Sequence, residues 1–352
     1  MATALMVQGT GSHVGKSVIV AALCRIFARR GYAVAPFKAQ NMALNSFITP
    51  EGGEIGRAQA YQAEAAGLAP SVLMNPVLLK ANSDTGAQVI VKGRAVGNMG
   101  VREYHAYKDE AFRAVEESYR ELASLHELII IEGAGSPAEI NLKDNDIVNM
   151  KTAKMAGARV LLAADIDKGG VFAQMVGTME LLDPEEREMV AGFIINKFRG
   201  DPTLLKGGLD FILARTGKPV LGVIPFFKDI YVQEEDGVSL YCESPHGRGL
   251  DDGAVDIAVL RLGHISNFTD FDPLAQEPGV RVRFVRGVGD FGRPDMLIVP
   301  GSKNTIFDLL ELRASGLEKK TLEYFNKGGT VAGICGGYQM LGRAVHDPDG
   351  VE

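Results

Sequence analysis

One nine-residue stretch holds the parts of a polyphosphate cradle: Gly9-Thr10-Gly11-Ser12-His13-Val14-Gly15-Lys16-Ser17. Glycines let successive backbone N–H groups converge on phosphate oxygens, and a helix starting behind the loop adds the positive end of its dipole. Lys16 suits the β- and γ-phosphates of ATP, and Ser17 suits Mg²⁺. Five residues, not the common four, separate Gly9 from Gly15. The run 128–131 ends in Glu132-Gly133-Ala134-Gly135, and Glu132 is the candidate to share the Mg²⁺ with Ser17. Lys38 is a second cation for a transferred phosphate or a carboxylate substrate. It opens an amide-rich segment in which Gln40, Asn41 and Asn45 are candidate substrate contacts, with a plain solvated loop as the alternative. Asn196 could read adenine or cap a turn. Asp165 and Asp167 are substrate-side groups or ordinary strand-end acids.

A different chemistry is written near the other end. Ala332-Gly333-Ile334-Cys335-Gly336-Gly337 places a cysteine in a glycine-rich bend between an apolar run and a helical stretch. This is the sulfur form of a nucleophile elbow. The Gly336 N–H, and the Gly301 N–H after the run 296–299, are candidate oxyanion donors for an acyl-transfer step at Cys335. Such a thiol needs a base. His346 reads as a residue of an Asp-Pro turn and His264 as a structural histidine, so the base is expected in sequence beyond this chain.

These residues need rigid carriers. Apolar runs at 4–8, 33–37, 128–131, 159–164, 192–195 and 220–223 lack period-2 alternation, as strands buried on both faces do. Helical patterns, among them 16–29 and 111–124, lie between them. The expectation is an α/β fold: a P-loop NTPase-like parallel sheet with helices on both faces, over 1–235. Residues 236–254, rich in glycine and charge around Pro245, read as a linker. A second series follows, with strands at 256–260, 280–285, 296–299 and 331–334 and a helix at 317–326. It predicts the N-terminal part of another α/β domain over 255–352, with no closing elements after the turn at 346–350.

Composition narrows the class. Hydrophobic residues make up 46% and the net charge is −7, so a large core is affordable while nucleic acid is not an expected partner. Cys24, Cys242 and Cys335 form no disulfide framework or metal pair, which points to a reducing cytoplasm. No apolar run approaches the ~20 residues of a membrane span, and the N-terminus does not read as a signal peptide.

Taken in order, the stretches 9–17, 40–46, 75–80 (Asn75-Pro76-Val77-Leu78-Leu79-Lys80), 132–141, 165–173, 196–201, 300–305 and 333–342 resemble the cobyric acid synthase family of glutamine-dependent corrinoid amidotransferases. The first half also resembles dethiobiotin synthetase, which shares the extra loop residue and a Glu-Gly-Ala-Gly strand end. The resemblance implies four ATP-dependent amidations, at the b, d, e and g side chains, turning adenosylcobyrinic acid a,c-diamide into adenosylcobyric acid through acyl phosphates. It implies catalytic roles for Lys16 and Lys38, an incomplete class I glutamine amidotransferase-like α/β domain over 255–352, and a Cys335 thioester that releases ammonia from glutamine. The family's His and acidic partner to that cysteine are not in this chain, so ammonia is expected to serve as donor and glutamine to fail. A homodimer is compatible with all of this. Cobyrinic acid a,c-diamide synthase is the neighbouring alternative, and the Gln40–Ser46 segment argues against it. A ParA/MinD-like ATPase is a more distant one; it would carry an early lysine that Gly9–Val14 lacks. A non-catalytic regulatory chain is a third.

Overall fold

The structure, a computed structural model, describes residues 2–82, 86–227 and 254–348. Nearly all of the expected linker, 236–254, lies outside these residues, as does Cys242. The chain forms two compact units: one draws on Met1–Met42, Phe47–Leu79 and Val89–Val232, the other on Ala43–Ser46, Lys80–Gln88 and Gln233–Glu352.

The first unit opens with β1 (Thr3–Gly9), α1 (Lys16–Arg29) and β2 (Val34–Phe37). An excursion follows: β3 (Gln40–Met42), β4 (Ser46–Ile48), β5 (Glu54–Gly56), α2 (Arg57–Ala66), β6 (Val77–Ala81), β7 (Gly86–Val91) and β8 (Arg94–Gly100). The chain then returns through α3 (Val101–Leu125), β9 (Leu128–Glu132), α4 (Met150–Ala156), β10 (Arg159–Asp165), α5 (Val171–Leu181), α6 (Pro184–Met189), β11 (Val190–Phe198), α7 (Lys206–Thr216) and β12 (Val220–Pro225). The main sheet has the order β12-β11-β10-β1-β9-β2 and is parallel throughout. Every residue of β9 is buried, as its unbroken Leu-Ile-Ile-Ile run requires. Val7, Ile19, Val20, Cys24, Ile130 and Ala163 form one core between α1 and the sheet. Because the strands run together, the C-terminal ends of β1, β2, β9, β10 and β11 share one edge, where ligands bind in open parallel sheets.

The excursion departs from expectation. The segment 40–46 is not a loop throughout: Gln40–Met42 pairs in parallel with β6, in a four-stranded sheet of order β3-β6-β7-β8. Its three-residue strand is too short to show a period.

The second unit repeats the parallel plan. Its elements are β13 (Val255–Leu260), α8 (Asp272–Gln276), β14 (Val280–Val285), β15 (Met296–Val299), α9 (Thr305–Ala314), α10 (Leu317–Asn326), β16 (Thr330–Gly333) and α11 (Gly336–Met340), with the sheet in the order β14-β13-β15-β16. Alternate residues of β13 serve opposite faces: Ala258 and Leu260 pack with Leu312 and Leu317, while Ile257 and Val259 pack with Phe271. No helix among the described residues is long and apolar enough to cross a membrane.

Candidate active site

In the first unit β1 delivers Gly9 to the sheet edge, and the loop to Ser17 turns back into α1. Gly15 sits at φ 95, in the left-handed region that glycine enters freely. A Cβ there would lie 2.2 Å from the Asn196 amide nitrogen. That amide, at the end of β11, donates to the Val14 carbonyl at 2.8 Å. Beside it Lys197 Nζ donates to the His13 carbonyl and to Asp165, each at 2.7 Å. Two strand-end side chains thus brace the loop from outside. Asn196 is engaged as a strut, and Asp165 and Asp167 are engaged in ion pairs with Lys197 and Arg199.

Inside the loop, Lys16 is buried and donates to the Gly11 and Gly135 carbonyls at 2.9 and 3.0 Å. Burial pulls its pKa down to about 8, against the raising effect of Glu132, with Lys38 adding repulsion. Glu132 ends β9 with 1% exposure. Its Oε1 accepts from Ser17 Oγ at 3.0 Å and from Lys38 Nζ at 2.9 Å. Its Oε2 accepts from Gln62 Nε2 at 2.5 Å and lies 3.5 Å from Gln59 Nε2. Burial pushes the Glu132 carboxyl up, but Lys38, Gln62 and Lys16 outweigh it and hold it below the usual carboxylate value. Lys16 at the start of α1, Lys38 just past β2 and Glu132 at the end of β9 therefore meet as two ammonium groups around one carboxylate, a net positive, buried cradle. Its oxygen donors are of the hard type Mg²⁺ takes. Among the described residues no three His, Cys, Asp or Glu side chains gather as a ready-made metal cage. A Mg²⁺ here would lean on phosphate oxygens and water, its usual habit.

Asn41 is buried and donates to Gln59 Oε1 at 3.0 Å, so it connects to Glu132 through α2. Gln40 Oε1 accepts from Tyr104 OH. Asn45 is buried and belongs to the second unit, so the three expected substrate amides do not form one cluster within the first. Gln59, Gln62 and Lys197 escaped the sequence reading. The signal for the first two was there: paired glutamines three apart on an otherwise Ala-rich helix.

In the second unit β15 and β16 are neighbours, with Val299 opposite Gly333. Cys335 follows at φ 49, ψ −114, exposed, just ahead of α11. A non-glycine residue at such an angle costs about 1–3 kcal/mol and persists where surroundings enforce it. The enforcement is visible: a Cβ on Gly337 would lie 2.0 Å from the Val299 carbonyl oxygen, and one on Gly336 would lie 2.9 Å from Ser302 N. A Cβ on Gly301 would lie 3.8 Å from the Cys335 Cβ, so Gly301 and Gly336 both lie beside Cys335. The loop carrying Gly301 is itself anchored. Asp308, fully buried on α9, accepts from Ser302 Oγ at 2.6 Å and binds His264 Nδ1 at 3.0 Å. His264 is held by Asp308 in this loop, and no base for Cys335 is assigned among the described residues. His346 lines a cavity of about 830 Å³ together with Gly333, Tyr338 and Gln339.

Comparison with known proteins matches residues 5–240 to the CobQ/CobB/MinD/ParA nucleotide binding domain and residues 256–352 to the CobB/CobQ-like glutamine amidotransferase domain. The cobyric acid synthase of Moorella thermoacetica is 60% identical over 353 residues, covering 100% of this chain and 68% of its own length. Those of Desulfitobacterium hafniense and Sorangium cellulosum are each 57% identical, again over 100% of this chain, and over 69% and 67% of their own lengths. Among solved structures, the signal recognition particle 54 kDa protein of Aeropyrum pernix K1 in complex with GDP reaches a TM-score of 0.37 at 16% identity, over 64% of this chain and 42% of that one, too little to bear on the site. With a nucleotide-binding domain followed by an amidotransferase domain, and such identity along its whole length, this chain belongs to the cobyric acid synthase family of enzymes.

Proposed function

We propose that the chain uses ATP to activate carboxylate side chains of a corrin for amidation, taking adenosylcobyrinic acid a,c-diamide to adenosylcobyric acid. The observation that carries this is the set of buried Lys16, Lys38 and Glu132, with the half-buried Ser17 bonded to Glu132, at one sheet edge. A carboxylate is a poor electrophile, and bringing it to a triphosphate crowds negative charge. Two ammonium groups against one carboxylate leave an excess of positive charge to offset that crowding.

A substrate carboxylate oxygen attacks the γ-phosphorus, the bond to the bridging oxygen breaks, and ADP leaves. Ammonia then adds to the acyl phosphate carbon, the carbon–oxygen bond to phosphate breaks, and a proton is lost as inorganic phosphate departs. Lys16 stays on the β/γ-phosphates, and Lys38 is the cation for the transferred group. Ser17 donates its proton to Glu132, which leaves the hydroxyl lone pairs turned to a ligand. Ser17 and Glu132 are the residues to hold Mg²⁺, which when bound neutralises charge between the phosphates. Gln40 and Asn41 are the substrate contacts of this unit.

The division of labour assigns 1–235 to ATP chemistry and 255–352 to glutamine. There the Cys335 sulfur attacks the side-chain amide carbon, the Gly301 and Gly336 N–H groups receive the oxyanion, and ammonia leaves. Water then hydrolyses the thioester to glutamate.

The test is ATP turnover with the a,c-diamide, comparing ammonia with glutamine, followed by mapping the amidated side chains. ADP formation that requires both corrin and an amine donor is expected, with product amidated at b, d, e and g. Corrin-independent hydrolysis refutes the proposal, and amidation at a and c would make the chain the preceding enzyme.

A further inference from the structure

We propose that Gln62 is a positioning residue of the metal–phosphate centre, presenting its side-chain oxygen to a water carried in on the divalent cation. The proposal rests on the nucleotide reading above and extends it to a residue outside the glycine loop. Gln62 is fully buried on α2. Its Nε2 donates to Glu132 Oε2 at 2.5 Å and to the Ser17 carbonyl at 3.3 Å. Exchanging amide oxygen and nitrogen would face two acceptors with a third, so the orientation is fixed by its neighbours. That leaves Oε1 buried with no hydrogen-bond partner. A buried acceptor left unmade is costly, and a ligand that brings a donor is a common resolution.

Gln59, one turn away, supplies the contrast. Its Oε1 already accepts from Asn41, and its Nε2 lies 3.5 Å from Glu132. Of these two glutamines on the same helix, only Gln62 has an acceptor to offer, and it is the one that touches both Ser17 and Glu132. Mg²⁺ keeps several of its waters when it binds with a nucleotide, so the donor class that fits Oε1 is a water of the hydrated cation.

The experiment is calorimetric titration of the chain with ATP at a series of free Mg²⁺ concentrations and in excess chelator, for wild type, Gln62→Met and Gln59→Met. Gln62→Met should leave metal-free ATP affinity within about twofold and raise the Mg²⁺ needed for half of the metal-dependent gain about tenfold, as loss of a group that orients a metal's surroundings does. Gln59→Met should shift it less than about threefold. A Mg²⁺ dependence unchanged in Gln62→Met overturns the proposal. So does a parallel loss of metal-free and metal-dependent binding, or an equal effect of Gln59→Met. Wild-type binding that ignores Mg²⁺ would remove the nucleotide–metal reading itself. If Gln62→Met melts early, Gln62→Asn, which withdraws the amide by one methylene, must give the same selective loss.

Discussion

Binding of ATP should take up a proton, and Lys16 sets how much. In the free protein burial brings the Lys16 pKa from an ordinary 10.5 down to about 8. Its ammonium is therefore about half populated at pH 8, about nine-tenths at pH 7 and about one-tenth at pH 9. A triphosphate beside it restores the charged form. Proton uptake per ATP should thus rise from about 0.1 at pH 7 to about 0.5 at pH 8 and about 0.9 at pH 9. ATP affinity should weaken by up to about tenfold per pH unit above 8. Stability of the free protein follows the same linkage. Lys16 has a lower pKa folded than unfolded, so the unfolded chain binds more protons between about 8 and 10.5. The penalty, ~3 kcal/mol from the shift, is fully present below pH 8 and relieved as pH rises through that window. Calorimetry in buffers of differing ionisation enthalpy reads the proton count directly, and ATP has shed its own last proton by pH 8. Lys16→Arg keeps a charge that does not titrate, so its binding should show no uptake, while Lys16→Ala should abolish binding. Absence of uptake in wild type at pH 8–9, or its persistence in Lys16→Arg, would refute the assignment of the buried cation to the phosphates.

Three further outcomes follow from the geometry. Asn196→Ala removes a strut worth about 1 kcal/mol, so ATP should bind roughly fivefold more weakly with the ATP-to-GTP preference unchanged; a changed preference in competition binding would mean that Asn196 reads the base instead. Gly15→Ala forces a Cβ to within 2.2 Å of the Asn196 nitrogen at φ 95, and it should lower the melting temperature by several degrees and eliminate nucleotide binding; wild-type affinity would show that the loop does not need this conformation. Cys335 is exposed, whereas Cys24 is buried with burial pushing its thiol up to about 12. Iodoacetamide mapped by mass spectrometry should therefore alkylate Cys335 at least about a hundredfold faster than Cys24, and comparable rates would contradict the presentation of the elbow.

Much of this is legible in the sequence. Unbroken apolar runs identify strands buried on both faces, so β9, β10 and β15 fall where their residues say. The helix 317–326 and the start of α1 carry their periodicity openly, while α3 begins ten residues before the expected 111 because its first turns are polar and exposed. Lys16 and Ser17 are legible from the glycine loop that ends in them, and Lys38 and Glu132 because strand-end position in a parallel sheet is readable from order alone. The excursion between β2 and α3 is not, since three-residue strands leave no period and their pairing is decided by distant partners. Gln62 leaves a trace, two glutamines three apart on α2, but its partner is not in that trace. A glutamine on an Ala-rich helix acquires meaning only when α2 lies against the end of β9, which no local pattern specifies.

The two units apply one device to two kinds of charge. In each, parallel strands bring loop residues to a common edge. In the first the ligand is a polyanion, and the edge holds buried ammonium groups whose own desolvation is offset by Glu132. That carboxylate is kept ionised by Lys38, Ser17 and Gln62, so the field is in place before any ligand arrives. In the second the scissile group is a neutral amide that becomes charged only as it reacts. Fixed ammonium groups would favour a glutamate carboxylate over the transition state, whereas backbone N–H groups stabilise the oxyanion as it forms. In the proposed reaction the second edge offers Gly301 and Gly336 as those donors beside a strained Cys335, and the buried Asp308 holds Ser302 and His264 in the loop behind them. Charge at the first edge and backbone at the second is the distribution that activation of a carboxylate and cleavage of an amide each demand.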